Sequence, residues 1–297
     1  RLLVADVADA GSPLTTVVLF YLGLNLAIGI VFLGLTHPVA RVITALVPRP
    51  PKTERGAARA SIHLDPSALA TPSLALACAS REALHLADQV ETMLSGLLSV
   101  IKNDDLELSQ KLRELDNAID QLYSAIGRYL TRLSRESLDE EESRRWSNTM
   151  AFVINMEQAG DIAERVLADI ENKKIKRGRT FTEGGMIEIT DLHSRLLDNL
   201  HLATSVFLTN NLRDAQRLLE ERARFRDLEH VYENSHLTRL ANRTLHSVET
   251  SSLHIELIGE LKRINSHVCS IAYPILDAAL GGDPGRMRRT PVDGVNE

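Results

Sequence analysis

The chain has 297 residues, 44% of them hydrophobic and 25% charged, and a formal net charge of -6. That length holds one large domain or two small ones around a real core, and the acidity excludes a general nucleic-acid binder, whose surface would be basic. Aromatic residues are only 4% of the chain, and its wealth of Leu, Ala, Glu and Arg favours helix over sheet.

Taken in chain order, the first feature is an uncharged run: no Asp, Glu, Lys or Arg occurs between Asp9 and Arg41. Residues 15–36 exceed the roughly 20 apolar residues a helix needs to cross hydrocarbon, which predicts one transmembrane helix within a membrane segment, residues 1–47. Asn25 in its middle, with Gly23, Gly29 and Gly34, suits contact with other helices better than a solitary anchor. Arg41, Arg49, Lys52, Arg55 and Arg59 follow the span, while Arg1, Asp6 and Asp9 precede it. The positive excess places the C-terminal side in the cytoplasm. Because the chain opens on Arg1 and reaches the span almost at once, it reads as a fragment of a longer protein. Residues 48–70 form a Pro-rich basic linker, close enough to the lipid bilayer to touch anionic headgroups.

From Pro72 onward, helical spacing of apolar residues predicts six helices and no strand. The first covers about 72–101, through Leu76, Leu84, Val90, Leu94, Leu97 and Ile101. Asn103 and Asp104 are read as caps for the second, about 104–135. Ser137 and the acids Asp139 to Glu142 open the third, which ends at Lys173, Lys174, Lys176 and Arg177, charges that suit its dipole. Gly178 and Gly184-Gly185 bracket a loop before helices at about 185–209, 211–247 and 251–281, and residues 283–297 form a flexible tail. The two cysteines, Cys78 and Cys269, lie far apart with no CxxC, which predicts reduced thiols and no thiolate zinc site. A coiled-coil receptor bundle is disfavoured, because Asn103, Ser137, Gly178 and Asn210 interrupt the helices about every thirty residues.

The last three helices copy the first three. Residues 104–112 (DDLELSQKL) overlay residues 210–218 (NNLRDAQRL) at an offset of 106, with Gln, a basic residue and Leu in register. Internal duplication follows, with repeats at 71–177 and 178–282.

Two short strings stand out in the first repeat. Residues 116–120 read DNAID and residues 157–161 read EQAGD. In each, two acids four apart share a helical face, so that Asp116, Asp120, Glu157 and Asp161 can converge if the helices are neighbours. Hard oxygen clusters attract a divalent or ferric cation that relieves their repulsion, and Gly160 permits close approach. Acidic pairs are also common on solvated faces, and Arg113, Arg128 and Arg165 stand near enough to neutralise some of the charge. Nothing indicates an enzyme: there is no phosphate loop, nucleophile elbow or HExxH, and the ten histidines form no evident ligand pair.

Paired acidic motifs on successive helices of a duplicated three-helix unit resemble the PhoU family. The resemblance implies an all-α fold, one membrane helix followed by a PhoU-like bundle of six helices, with Asp116, Asp120, Glu157 and Asp161 as metal ligands. The second repeat departs from that pattern. Arg222 and Arg226 stand opposite Asp116 and Asp120, and Lys262 and Ser266 opposite Glu157 and Asp161, with Arg263 alongside. This basic face can bind an anion such as phosphate, dock an acidic surface, or simply pair with Glu221, Asp227, Glu229 or Glu256.

With the glycine-rich span and the strings 257–267 (LIGELKRINSH) and 272–274 (AYP), the chain resembles the C-terminal region of bacterial Na+/phosphate cotransporters. That resemblance implies a cytoplasmic regulator in the cell inner membrane, attached to an upstream transmembrane transporter core that handles inorganic phosphate and sodium, with room for a homo-oligomer. A membrane-tethered PhoU-type module acting on a separate permease or sensor kinase is the alternative.

Overall fold

The computed structural model describes residues 21–29, 32, 63–133, 138–241 and 251–279. The chain divides into two compact units, Arg1–Thr53 and Glu54–Glu297. In the first, residues 21–29 are helical with exposed side chains, and the Asn25 amide donates to the Tyr21 carbonyl at 2.7 Å. Most of the predicted span, the linker up to residue 62 and the tail lie outside the described residues. Among the described residues, no helix is long and apolar enough to cross a membrane.

The second unit is all-helical over its described residues: α1 (Pro72–Asn103), α2 (Leu106–Leu133), α3 (Glu140–Asp169), α4 (Glu183–Thr209), α5 (Leu212–Ala241), α6 (Ser251–Val268) and α7 (Ala272–Ala279). The predicted sixth helix is thus two, parted by a 3-10 turn at Cys269–Ile271, with Pro274 unable to donate its backbone hydrogen bond in α7. The end of the predicted linker is also built into the bundle. Pro66–Ala70 forms a 3-10 turn that buries Ala68, Tyr129 donates to the Asp65 carbonyl at 2.8 Å, and His63 N donates to Glu82 at 2.6 Å.

Local signals explain most helix ends. Asp139 and Glu142 form a reciprocal capping box at the start of α3, with bonds of 2.7 and 3.2 Å, an arrangement that contributes about 1 kcal/mol. Thr182 caps α4 by accepting from Gly185 N at 3.1 Å, which draws Gly184 and Gly185 into the first helical turn instead of the predicted loop. At the far end of α3 the basic tail first widens into a π turn (Ile170–Lys174), then tightens into a 3-10 turn (Ile175–Arg177), and Gly178 closes it at φ 61°.

The duplication is visible in the backbone. Asp104 and Asn210, related by the offset of 106, are the only described non-glycine residues with positive φ, at 56° and 50°. Each donates its amide to the carbonyl four residues earlier, Val100 and Val206. The next residue then caps the following helix: Asp105 accepts from Leu108 N at 2.9 Å, and Asn211 accepts from Arg213 N at 2.9 Å. Asp104 therefore ends α1 in the left-handed conformation Asp and Asn tolerate, and Asp105 is the cap of α2.

One apolar core joins both repeats. It holds Leu76, Leu86 and Leu94 of α1, Ile119 and Leu130 of α2, Phe152 and Met156 of α3, and Leu196, Phe225 and Leu261 of the second repeat. Phe152 and Phe207 stack across the repeat boundary with centroids 4.1 Å apart and planes 5° apart. Polar contacts cross it too: His193 Nε2 lies 2.7 Å from the Leu94 carbonyl oxygen, and Lys173 meets Glu256 at 2.8 Å. Both cysteines are free thiols, Cys269 buried and Cys78 half-buried.

Candidate metal centre

Helices α2 and α3 pack where Ile119 and Gly160 meet. A Cβ on Gly160 would lie 3.3 Å from Ile119 Cδ1, so the missing side chain is what lets the helices come this close. The residues next in sequence, Asp120 and Asp161, are carried to the rim of that contact, and the i,i+4 spacing adds Asp116 and Glu157 one turn away. Carboxylate oxygens of Asp120, Glu157 and Asp161 all lie within 4.8 Å of one another. Asp116 stands slightly apart, its Oδ1 buried without a hydrogen-bond partner. The structure thus brings the four predicted acids to one place.

Their electrostatics are those of crowded like charges. Burial first, then the charges of Asp120, Asp161 and Glu164, push the Asp116 carboxyl up to about 6. Asp120 is raised by burial and by Asp161, and Glu157 by burial and by Asp161, Asp120 and Asp116. Nearby cations give little relief, because Arg113 is committed to Glu164 at 2.6 Å and to Glu171 at 3.5 Å. The donor set is oxygen only, with one buried oxygen left over, which fits a hard divalent or ferric cation and not a soft one.

A pH dependence follows for the metal-free protein. The folded Asp116 holds its proton to about pH 6, whereas its ordinary value is 3.8, so its contribution is greatest below the ordinary value and is lost as pH rises through about 6. In chelator, the melting temperature of the parent should fall more steeply across that window than that of Asp116→Asn. Parallel profiles would refute the crowding of these acids.

The counterparts in the second repeat also converge. Arg222, Arg226, Lys262 and Ser266 line a single cleft between α5, α6 and α7. Three of the four predicted cations there have carboxylate partners: Arg226 with Asp227 at 3.0 Å, Lys262 with Glu229 at 2.6 Å, and Arg263 with Glu260 at 2.8 Å. Arg263 is not among the cleft-lining residues. Of the carboxylates suggested as partners for the arginines, Glu221 binds Arg224 and Glu256 binds Lys173. Arg222 instead bonds the Tyr273 hydroxyl and lies over its ring, 5.5 Å from the centroid. A second potential ligand group escaped the sequence reading: Glu229, His230 and Glu233 also place ligand atoms within 4.8 Å of one another. The spacing was visible, but Lys262 already holds Glu229.

A helical bundle built from two copies of a three-helix unit is the architecture of the PhoU domain family. The PhoU domain model matches residues 83–170 and 189–275, more than half of the chain, and the chain belongs to that family. It is 40% identical over 261 residues to YjbB of Escherichia coli (strain K12), named as a candidate inorganic phosphate export protein, a match covering 88% of this chain and 48% of that one. The protein of the same name from Salmonella typhimurium (strain LT2) is 44% identical over 215 residues, 72% of this chain and 39% of that one. The chain therefore spans about half the length, or less, of these relatives. Among solved structures, PhoU from Pseudomonas aeruginosa aligns with a TM-score of 0.63 at 19% identity, over 68% of this chain and 96% of that one. That likeness concerns the fold.

Proposed function

We propose that this chain is the regulatory part of an inorganic phosphate transporter: a PhoU-like bundle that binds metal through Asp116, Asp120, Glu157 and Asp161 and acts, without catalysing a reaction, on a membrane-embedded transport core. The observation that carries the transport reading is the extent of the likeness to the phosphate export proteins. It runs over 261 residues, well beyond the two segments of the PhoU domain. The relatives' name favours outward movement of phosphate. Sodium coupling, an inner-membrane location and a cytoplasmic bundle complete the proposal, on the resemblance and the flanking charges described above.

A bound cation would neutralise the quartet and tie α2 to α3, supplying electrostatic cross-linking and no chemistry of its own. Glu157 and Asp161 would hold it from α3, Asp120 from α2, and the leftover Asp116 oxygen offers a fourth ligand. Elemental analysis of gently purified protein should find stoichiometric metal, lost in an Asp120→Ala, Asp161→Ala double variant that keeps its helicity. Metal-free parent protein, as stable as the variant, would reduce the quartet to surface charge. The transport reading has its own test: labelled phosphate flux from vesicles holding the longer protein should change when this double variant is introduced. Flux that ignores both the variant and a sodium gradient would argue against regulation by this site and against sodium coupling.

A further inference from the structure

The cleft of the second repeat occupies the place of the acidic quartet with its charge reversed. It has a volume of about 410 Å³, and no carboxylate is among its lining residues. Arg222, Arg226, Lys262, His230, Ser266 and Tyr273, each able to donate a hydrogen bond, are among its lining residues, with His230 Nδ1 also 3.4 Å from Glu229. We propose that this cleft is a binding site for a phosphate-type oxyanion, with Arg222 as its anchor.

Arg222 is the residue that distinguishes an anion site from a set of internal ion pairs. Its described contacts are to Tyr273, through the hydroxyl and the ring, and no carboxylate pairs with it among the described residues. One bond leaves most of the five guanidinium donors unused, and the half-buried ring contact holds the planar fork in one orientation before any ligand arrives. Its charge is felt nearby: the His267 imidazole is held below its ordinary value by burial first, and then by Arg263 and Arg222. The other two cations are only loosely committed. Arg226 meets Asp227, its neighbour in sequence, with both side chains well exposed, a pair of little energetic worth. Lys262 keeps two donors beyond the one it gives to Glu229. Ser266, where the first repeat has Asp161, replaces a charge that would repel an anion with a hydroxyl that can donate to one. A tetrahedral oxyanion presents several acceptors to such a set, and charge-assisted bonds of this kind are the strong ones.

The choice of phosphate among oxyanions rests on the transport reading above, whereas the site itself does not depend on metal at the quartet. The test therefore uses the full chain in detergent with chelator present, so that phosphate cannot be held by a metal in the first repeat. Calorimetric titration with inorganic phosphate should show one saturable site per chain. Arg222→Gln should weaken it about tenfold or more, and so should Ser266→Asp, which puts a carboxylate into the cleft where the first repeat has one. Arg263→Gln, outside the cleft, should leave it unchanged, and matched helicity among the variants checks their folding. Absence of saturable binding, or binding that Arg222→Gln and Ser266→Asp both leave intact, overturns the proposal. A short-chain phosphatidic acid separates the sources: tight binding of the lipid with none of the free ion would keep the oxyanion cleft but assign it to a headgroup, and so overturn free phosphate as its ligand.

Discussion

Phe152→Ala should destabilise the bundle by about 3–5 kcal/mol. Phe152 is fully buried and stacks face to face with Phe207 of the second repeat. Truncation loses the burial of a whole ring, leaves a cavity in a core that serves both repeats, and removes an aromatic pair that contributes about 0.5–1.5 kcal/mol beyond its area. The melting temperature should drop by on the order of 10 °C. Phe152→Leu, which fills most of the space, should cost clearly less. A loss below about 1 kcal/mol for the alanine variant would mean that the two repeats do not share this core. Because the stack bridges them, the parent should unfold in one transition reported alike by helicity and by near-ultraviolet signals.

The second large effect is expected at the buried pair of Glu188 in α4 and His254 in α6, where Nε2 and Oε2 lie 3.0 Å apart. Phe181 presents its ring to the imidazole at 6.1 Å, and a Cβ on Gly185 would come within 3.1 Å of Nδ1, so the ring fills its space. His254→Ala takes the imidazole from a buried carboxylate and opens a void, with an expected loss of about 3 kcal/mol. Replacing both partners, as in Glu188→Met with His254→Leu, should cost less than His254→Ala alone, since two apolar groups fill the space and leave no polar contact to satisfy. Chemical denaturation of the three variants decides it. A double variant worse than the single one would mean that the polar contact itself stabilises the approach of α4 and α6.

Much of this architecture is legible in the residues alone, because the signals are local. Leu and Ile at helical spacing mark every helical stretch from α1 onward, with α6 and α7 read as one, and Asn210 beside Asn211 repeats Asp104 beside Asp105 closely enough to betray the copy. The acidic quartet is legible for the same reason: each half is an i,i+4 pair on one helix, and Gly160 marks the contact between them. What escapes notice depends on partners distant in the chain. His254 stands two residues from Glu256 and on a different helical face, and its partner is Glu188, 66 residues away. Asn199 and Asn265 bond at 2.8 Å in the interior, also across 66 residues, and nothing in either neighbourhood announces it. The break at Cys269 and the π turn at Ile170 are responses of the backbone to packing, so helical periodicity runs through both without a mark.

Four carboxylates on one repeat and three cations at the matching positions of the other nearly cancel, in a chain whose formal net charge is only -6. In salt of about 0.1 M such fields fade over roughly 10 Å. A large molecule several Debye lengths away therefore senses little beyond the net charge of -6. A small ion that reaches the quartet meets mainly carboxylates, and one that enters the cleft of the second repeat meets Arg222 with no carboxylate partner among the described residues. Duplication with reversal thus gives one chain two local charge environments of opposite sign while leaving its net charge small.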